Sequence, residues 1–519
     1  MKKFLSLFLS ILLFSSLLCV TAGASELTPA EQVIAERKAA AEASGEYEKV
    51  VFSFHSWSGQ PVGTARVQEK INERLRETLG LEVELLILDA ASYAQNVRLM
   101  LSSGEQIDIF NSNLLGYTTC VNDGYCLDLE ENDLIQTYGQ GILEAINPDY
   151  LTASRIDNVL YGLPQLRDMA MGPGAYCIGQ EYLDGIGFDY DSMYEDPDNK
   201  DIIYTDYDTI ETIFAQLHEK YPDKYVFAPG DNLITAGSII DNVGGDNFGV
   251  LLDPANSLTV ENLFTSDAFK SYCERVHSWY LKGYISKDAI TDDTALSAKV
   301  KSGRYMAMMA QSKPSYNTQI SGECGRPMIV FQVEPDIMKS ESITIMLWHL
   351  NQGCKDPVAA IQVLNAFYSD PVVSNLLIWG EENVDYVVMD DGHITFPEGV
   401  DSTNAEYYHT MNWLLPNQFI AHIWENDPLD LWDRMERFND EAVKSKALGF
   451  TFDNSAYASE FSALTNIYNE YAKQLLYGFV DPETGIAEMQ DKLEAAGLNT
   501  YIAAKQEALN AWAEANGIQ

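Results

Sequence analysis

The order of predicted elements near the start of the chain constrains the fold more than any other feature. Three β-rich runs, at residues 50–54, 81–88 and 107–110, alternate with two segments of helical periodicity. This β-α-β-α-β order predicts a mostly parallel sheet covered by helices. In such sheets ligands bind beyond the carboxyl ends of the strands. We therefore expect the loops at residues 55–60 and 111–113 to lie on one rim of the sheet.

The length and charge of the chain limit the classes of protein to which it can belong. Its 519 residues exceed what one hydrophobic core usually holds, so more than one domain is expected. Hydrophobic residues make up 46% of the chain, which is typical of a folded protein. A net charge of -44 repels nucleic acid and anionic lipid, because affinity for both depends mainly on Lys and Arg. We predict a solvated acidic surface and no nucleic-acid partner.

The N-terminal segment has the pattern of a secretory signal. Two lysines precede an apolar run at residues 4–20, and small residues at positions 22 and 24 suit a cleavage site. Residues 1–24 are therefore predicted to be a signal peptide, and the protein is expected to be secreted or to lie at the outer face of the cell membrane. Lipid anchoring at Cys19 is an alternative, although Leu18 stands where a lipobox has a small residue. Residues 25–48, rich in Ala and Glu, are predicted to be a flexible tether or weak helix.

Catalytic and metal-binding patterns are mostly missing from the sequence. Asp189 and Asp191 begin like a calcium loop, but Met193 occupies the third ligand position. Cys120 and Cys126 are close enough in sequence to be paired, although free buried thiols are expected in a chain of this size. We predict no cofactor, no metal site and no enzymatic activity. Paired carboxylates carry little information among 77 acidic residues, so a glycoside hydrolase stays an alternative.

Four motifs occur in an order that spans most of the chain. Residues 161–164 read Tyr-Gly-Leu-Pro, residues 102–110 combine a small-residue turn with an apolar strand, residues 301–308 read Lys-Ser-Gly-Arg-Tyr-Met-Ala-Met, and residues 449–453 read Gly-Phe-Thr-Phe-Asp. Together they resemble the extracellular solute-binding proteins of bacterial ABC importers, in the family that includes maltose-binding protein. The last motif is similar to the C-terminal extension of a large carbohydrate-type subgroup.

The resemblance implies an α/β, two-lobe, periplasmic-binding-protein-like fold with a hinge and a central ligand cleft. The N-terminal lobe would comprise residues 49–163 and 301–344, with the strand around Met306–Met309 in its sheet. The C-terminal lobe would comprise residues 164–300 and 345–519, including a helical extension. The first motif would form the first crossover between the lobes.

Two local patterns lead to more specific predictions. Asp356 followed by Pro357 predicts the start of a helix, as its N-cap and first-turn residues. Residues 379–386 resemble a family segment in which Trp379 replaces a Tyr and Asn383 replaces a Gly. Since Asn tolerates left-handed backbone angles, we expect the turn to survive.

The candidate ligand-binding residues are aromatic and short polar side chains at predicted strand ends, turns and the crossover. They are Trp57, Ser58, Asn111, Tyr161, Arg167, Asp231, Asn232, Trp348, Trp413 and Asn417. Aromatic rings can cover the apolar faces of a sugar, while amides, carboxylates and guanidinium groups bind its hydroxyls. Structural alternatives remain open: packing for the tryptophans, turn formation for the Asn and Asp residues, and a surface ion pair for Arg167.

The resemblance implies that the protein captures a carbohydrate, such as an oligosaccharide, and delivers it to an ABC transporter permease. A monomer is expected. Two alternatives remain: a protein of the same fold that binds a peptide or another small solute, and a secreted glycoside hydrolase.

Overall fold

The computed structural model describes residues 27–195, 200–230, 238–409 and 411–518. The predicted signal segment, at residues 1–24, and the candidates Asp231 and Asn232 lie outside the described residues. No helix in these ranges combines the length and the hydropathy needed to cross a membrane. All six cysteines in the described part of the chain are free, and five of them are buried.

The strands are, in chain order, β1 Glu48–Ser56, β2 Leu81–Asp89, β3 Ile109–Asn111, β4 Arg155–Ile156, β5 Val159–Leu160, β6 Leu163–Pro164, β7 Gly172–Gly179, β8 Ile202–Tyr204, β9 Tyr225–Ala228, β10 Tyr305–Ser312, β11 Met328–Gln332, β12 Ile337–Met338, β13 Leu347–Leu350, β14 Val387–Val388, β15 Ile394–Thr395 and β16 Val443–Lys444.

The α-helices are α1 Pro29–Ser44, α2 Thr64–Leu79, α3 Ala90–Ser103, α4 Tyr117–Asn122, α5 Leu134–Tyr138, α6 Gln140–Ala145, α7 Pro148–Ala153, α8 Gln180–Ile186, α9 Tyr207–Lys220, α10 Asp267–Leu281, α11 Leu296–Lys301, α12 Tyr316–Cys324, α13 Pro357–Ser369, α14 Pro371–Trp379, α15 Leu431–Glu441, α16 Ala458–Leu476, α17 Pro482–Ala495 and α18 Leu498–Ala515.

The first lobe is built on a sheet of order β2-β1-β3-β13-β6. Strand β1 is parallel to β2 and β3, whereas β13 is antiparallel to β3 and β6. The predicted β-α-β-α-β order is therefore confirmed. Pro164, which cannot donate a backbone hydrogen bond, lies in the edge strand as its chemistry requires. Gly162 precedes it where an added Cβ would lie 2.6 Å from His349 Cε1, so only glycine fits.

The second lobe is built on a sheet of order β8-β11-β7-β10-β9. The prediction that Met306–Met309 belongs to the N-terminal sheet is wrong, because β10 pairs in parallel with β9 and antiparallel to β7. The assignment of residues 345–519 to the C-terminal lobe is wrong for β13, which lies in the first sheet. The buried side chains of α13 and α14 also join the first-lobe core. A local motif carries no information about which distant strand it pairs with, and this caused both errors.

The chain crosses between the lobes three times, near residues 165–171, 333–346 and 443–452. These crossovers hydrogen-bond to one another: Met171 bridges to Ile337, and β12 pairs with β16. The first crossing follows β6 and thus begins a few residues later than predicted. The hinge is consequently a narrow ribbon of three adjacent segments.

The described part of the predicted tether, residues 27–48, is mostly helix α1. Helix α1 begins with a capping box in which Thr28 and Glu31 satisfy each other's backbone N–H groups, with Pro29 at the first turn. Its Arg37 donates a 2.7 Å hydrogen bond to the Gln362 side chain on α13. This contact docks α1 on the first lobe.

The two local predictions about backbone are confirmed. Asp356 caps α13 by accepting from the Ala359 N–H at 2.9 Å. Asn383 adopts a φ of 65°, so the turn with Asn in place of Gly is retained. Trp379 packs against Trp424 and donates to the His422 carbonyl at 3.1 Å, which makes it a packing residue.

Candidate functional site

The carboxyl rim of the first-lobe sheet faces the hinge and carries exposed apolar and polar groups. Trp57 follows β1 and is 60% exposed, and Ile345 precedes β13 and is 49% exposed. Asn113 follows β3, and its side-chain nitrogen lies 3.8 Å from the sulfur of Met346. The loops at residues 55–60 and 111–113 share this rim, as the parallel pairing of β1 and β3 requires.

The Trp57 ring has one aromatic neighbour and is otherwise largely exposed. The His55 ring lies nearly perpendicular to it, with ring centroids 5.6 Å apart, and the Trp57 backbone N–H contacts the Met411 sulfur at 3.4 Å. Burial lowers the pKa of His55 to about 4, so this neighbour is neutral near pH 7. Ser58 is exposed beside it, and its N–H donates to Ser56 Oγ at 3.3 Å. The ring is therefore positioned but not covered.

A cavity of about 260 Å³ lies where the first two crossovers meet the end of β10. Its charged lining includes Arg167, Asp168, Lys313 and Glu341. Lys313 Nζ lies 3.1 Å from the Asp168 carboxylate, and the Arg167 guanidinium lies 3.6 Å from the same side chain. Arg167 Nε is buried and lacks a hydrogen-bond partner among the described residues. The cavity is thus lined by charged groups of both signs.

Buried charges surround the base of this cavity. Burial raises the pKa of Glu341, and the nearby Asp241 carboxylate raises it further. Burial lowers the pKa of Lys339. Asp241 itself accepts two hydrogen bonds of 2.8 Å, from the backbone N–H and the hydroxyl of Ser340. The base of the cavity is therefore polar and fixed to the second crossover.

Two sequence candidates lie in the first-lobe core. Trp348 is fully buried, stacks on Phe52 with centroids 4.4 Å apart, and donates from Nε1 to the Leu414 carbonyl at 3.1 Å. Asn417 is buried and donates a 2.7 Å hydrogen bond to the Tyr368 carbonyl. Both side chains donate their polar hydrogens to backbone carbonyls of the first lobe.

Three further candidates have mixed surroundings. Asn111 is fully buried and its side-chain oxygen accepts from the Asn113 N–H at 2.8 Å, while its side-chain nitrogen lacks a partner within the described ranges. Tyr161 is half-buried, and its carbonyl accepts from His349 Nδ1 at 2.7 Å. Trp413 is half-buried against the first-lobe core. The structure therefore brings Trp57 and Ser58 to the rim and Arg167 to the cavity.

Sequence reasoning missed the charged residues on the opposite side of the cavity. Lys313 follows β10, and Glu341 lies in the second crossover. Their position depends on β10 belonging to the second lobe, which the local motif did not indicate. A polar residue directly after a β-rich run was the available signal for Lys313.

The comparisons with known proteins agree with this architecture. A family model described as "Domain of unknown function (DUF3502)" matches residues 446–514. A "Carbohydrate ABC transporter substrate-binding protein" of Streptococcus pneumoniae serotype 4 is 23% identical over 454 residues, which cover 87% of this chain and 88% of that protein.

Solved structures give the same result for the fold. The N-glycan transport solute binding protein NgtS from Streptococcus pneumoniae aligns with a TM-score of 0.76 at 22% identity, covering 90% of this chain and 99% of that one. Its complex with Man5GlcNAc aligns with a TM-score of 0.62 at the same identity and coverage. An extracellular solute-binding protein from Bifidobacterium longum subsp. infantis aligns with a TM-score of 0.60 at 15% identity, covering 90% and 99%.

The resemblance inferred from short motifs is confirmed along nearly the whole described chain. The matched domain at residues 446–514 includes the motif at residues 449–453, which resembles the C-terminal extension of the carbohydrate-type subgroup. This chain has the two-lobe fold of the extracellular solute-binding proteins of ABC importers, and it resembles them in sequence over most of its length.

Proposed function

We propose that this protein captures a carbohydrate in the cleft between its lobes and delivers it to an ABC transporter permease. The observation that carries this proposal is the match, over 87% of the chain, to a carbohydrate ABC transporter substrate-binding protein. A structural relative at 22% identity has been solved with Man5GlcNAc, which favours an oligosaccharide as the ligand.

The first-lobe rim has the chemistry that a sugar chain requires. The exposed ring of Trp57 can cover the apolar face of a sugar ring, and Ile345 adds a second apolar surface. Arg167 lies after β6, three strands from Trp57, and three strand spacings amount to about 14 Å. A ligand that touches both residues must span more than one sugar ring. Arg167, Lys313 and Glu341 can bind hydroxyl groups at the inner end.

The hinge ribbon supplies the motion that capture requires. Because only three backbone segments join the lobes, small changes at residues 165–171, 333–346 and 443–452 can rotate one lobe against the other. Binding closes the lobes on the solute, and the closed form docks on the permease. The protein acts by binding without chemical conversion, as a monomer at the outer face of the cell membrane.

A panel of saccharides on purified protein tests this proposal. We expect an oligosaccharide such as Man5GlcNAc to raise the melting temperature, because a ligand of the native state stabilises it by mass action. Isothermal titration then gives its affinity, and chromatography of the recovered sugar checks that it is unchanged. Stabilisation by peptides and by no saccharide would overturn the carbohydrate assignment. Release of shorter sugars would indicate a glycoside hydrolase.

A further inference from the structure

The lobes also touch outside the hinge, through the segment that follows β10. We propose that Ser315 and Asp427 form an interlobe latch that sets how far the cleft opens. This latch controls how accessible the site of the proposed function is. The inference rests on that function only for its biological consequence. The latch consists of Ser315 and Thr318 from the second lobe and Asn426 and Asp427 from the first.

The contacts of the latch join groups that belong to different cores. Ser315 Oγ donates to Asp427 Oδ1 at 2.5 Å, and Thr318 Oγ1 lies 3.5 Å from the Asn426 carbonyl. Ser315 and Thr318 start α12, whose buried residues pack in the second lobe. Asp427 follows Trp424, which packs on Trp379 of the first lobe. Rotation of the lobes must therefore change or break these bonds.

The backbone of Ser315 is held in an unfavourable conformation. Its φ is 62°, in the left-handed region that residues with a Cβ rarely adopt. Its N–H donates to the Asp201 carboxylate within the second lobe, and its hydroxyl reaches across to Asp427. Such conformations persist only where surrounding contacts fix them. The hydroxyl is therefore aimed at the opposite lobe by its own backbone.

The latch adjoins the cavity at the hinge. Tyr316, next to Ser315 in sequence, lines that cavity, as does Lys313, which pairs with Asp168 at 3.1 Å. The segment from Lys313 to Thr318 thus runs from the ligand side of the hinge to the latch. A change in lobe separation would reach the cavity through this short segment.

The latch stabilises the lobe arrangement in which its bonds are made. Both acceptors of Ser315 are carboxylates, and hydrogen bonds to charged groups are stronger than neutral ones. Desolvation opposes this gain, so the net preference is modest and open to control by a ligand. Loss of the Ser315 hydroxyl should shift or broaden the distribution of lobe separations.

Distances between spin labels, measured by pulsed electron–electron double resonance, test the latch without any saccharide. Spin labels are attached at Leu99→Cys on the first lobe and Leu281→Cys on the second, both at exposed positions, in a Cys354→Ser background.

Ser315→Gly removes the hydroxyl and permits the positive φ, and Asp427→Ala removes the acceptor. The matched control is Asn317→Ala, since Asn317 donates to the Lys200 carbonyl at 2.9 Å within the second lobe.

We expect both latch variants to give a shifted or broader distance distribution, and the control to match the wild type. Combining Ser315→Gly with Asp427→Ala should add nothing further, because either change removes the same bond. Distributions that superimpose on the wild type, in variants whose melting curves show a folded protein, would overturn the latch. An equal change in Asn317→Ala would also overturn it. Neither outcome changes the result expected from the saccharide panel, so failure of the latch and failure of the proposed function can be told apart.

Discussion

The two lobes differ in how the strands of their sheets are spread along the chain. In the first lobe β1 lies between β2 and β3, and all three come from one continuous stretch. In the second lobe the central strand β7 lies between β10 and β11, which follow much later in the sequence. Pairing between strands that are neighbours in sequence can therefore be predicted from local pattern, whereas the partners of β10 cannot.

Each lobe also contains a buried polar contact whose removal tests its interior. The first-lobe core packs apolar rings, with Trp348 stacked on Phe52. The second lobe is closed by α18, whose Lys505 is fully buried. Lys505 Nζ donates to Asp246 at 2.9 Å, to the Gly249 carbonyl at 3.0 Å and to the Asn242 carbonyl at 3.2 Å. Removal of the Lys505 cation should therefore destabilise the second lobe, and loss of the Trp348 contact should destabilise the first.

The largest effect on stability is expected from Lys505→Met. The change leaves Asp246 buried without its cation, and breaking a buried pair in this way costs about 3–5 kcal/mol. Denaturant unfolding measures the loss. The matched control is Lys492→Met, since Lys492 is half-exposed and pairs with Glu470 at the surface, where ion pairs contribute about 0–1 kcal/mol. Equal effects of the two changes would show that the buried pair contributes no more to stability than a surface pair.

Asp201→Asn should stabilise the protein at neutral pH. Burial raises the pKa of Asp201 to about 6, above its value in the unfolded chain. The folded state therefore binds the proton more tightly, so this contribution to stability is present below about pH 4 and is lost as the pH rises to about 6. Because Asn cannot ionise, the variant should exceed the wild type by up to about 3 kcal/mol at pH 7.5.

Melting curves from pH 4 to pH 8 test this expectation. The difference between Asp201→Asn and the wild type should shrink to near zero at the acid end. A difference that does not vary with pH would show that folding does not raise the pKa of Asp201.

A smaller loss is expected from Trp348→Phe in the first lobe. The change keeps the stacked ring over Phe52 but removes the Nε1–H that satisfies the Leu414 carbonyl. A buried acceptor left without its donor costs about 1–3 kcal/mol. Denaturant unfolding should show this loss, while saccharide affinity stays near that of the wild type. Weakened affinity in a stably folded variant would return Trp348 to the ligand site.

Much of the first-lobe rim could be predicted from sequence, because a rim follows from strand order. Parallel β1 and β3 bring Trp57 and Asn113 to the same edge whatever their side chains contact. Burial could not be predicted in this way. Trp57 and Trp348 both lie near strand ends, yet one is exposed and the other is covered by residues around Leu414. That covering segment is distant in sequence, so no local pattern distinguishes the two tryptophans.

The second side of the site was missed for the same physical reason. A prediction that puts β10 in the first sheet does not place Lys313 beside Asp168, where the structure has it. Strand pairing across such separations is decided by which apolar faces meet in the folded core. The capping box of α1 differs from these cases, because Thr28 and Glu31 carry the whole signal within one turn.

The smallest effect on stability, and a clear effect on binding, is expected from Trp57→Ala. The ring has few core neighbours, so the free energy of unfolding should change by about 0.5 kcal/mol or less. If the ring covers a sugar face, saccharide binding should weaken by about 1–3 kcal/mol, which corresponds to roughly 5-fold to 150-fold in affinity. Titration calorimetry and a melting curve on the same preparation separate the two quantities. Trp348→Phe provides the reversed control, with lowered stability and retained affinity. Unchanged affinity in Trp57→Ala would remove this residue from the site, and the ligand would then be held mainly by the charged cavity at the hinge.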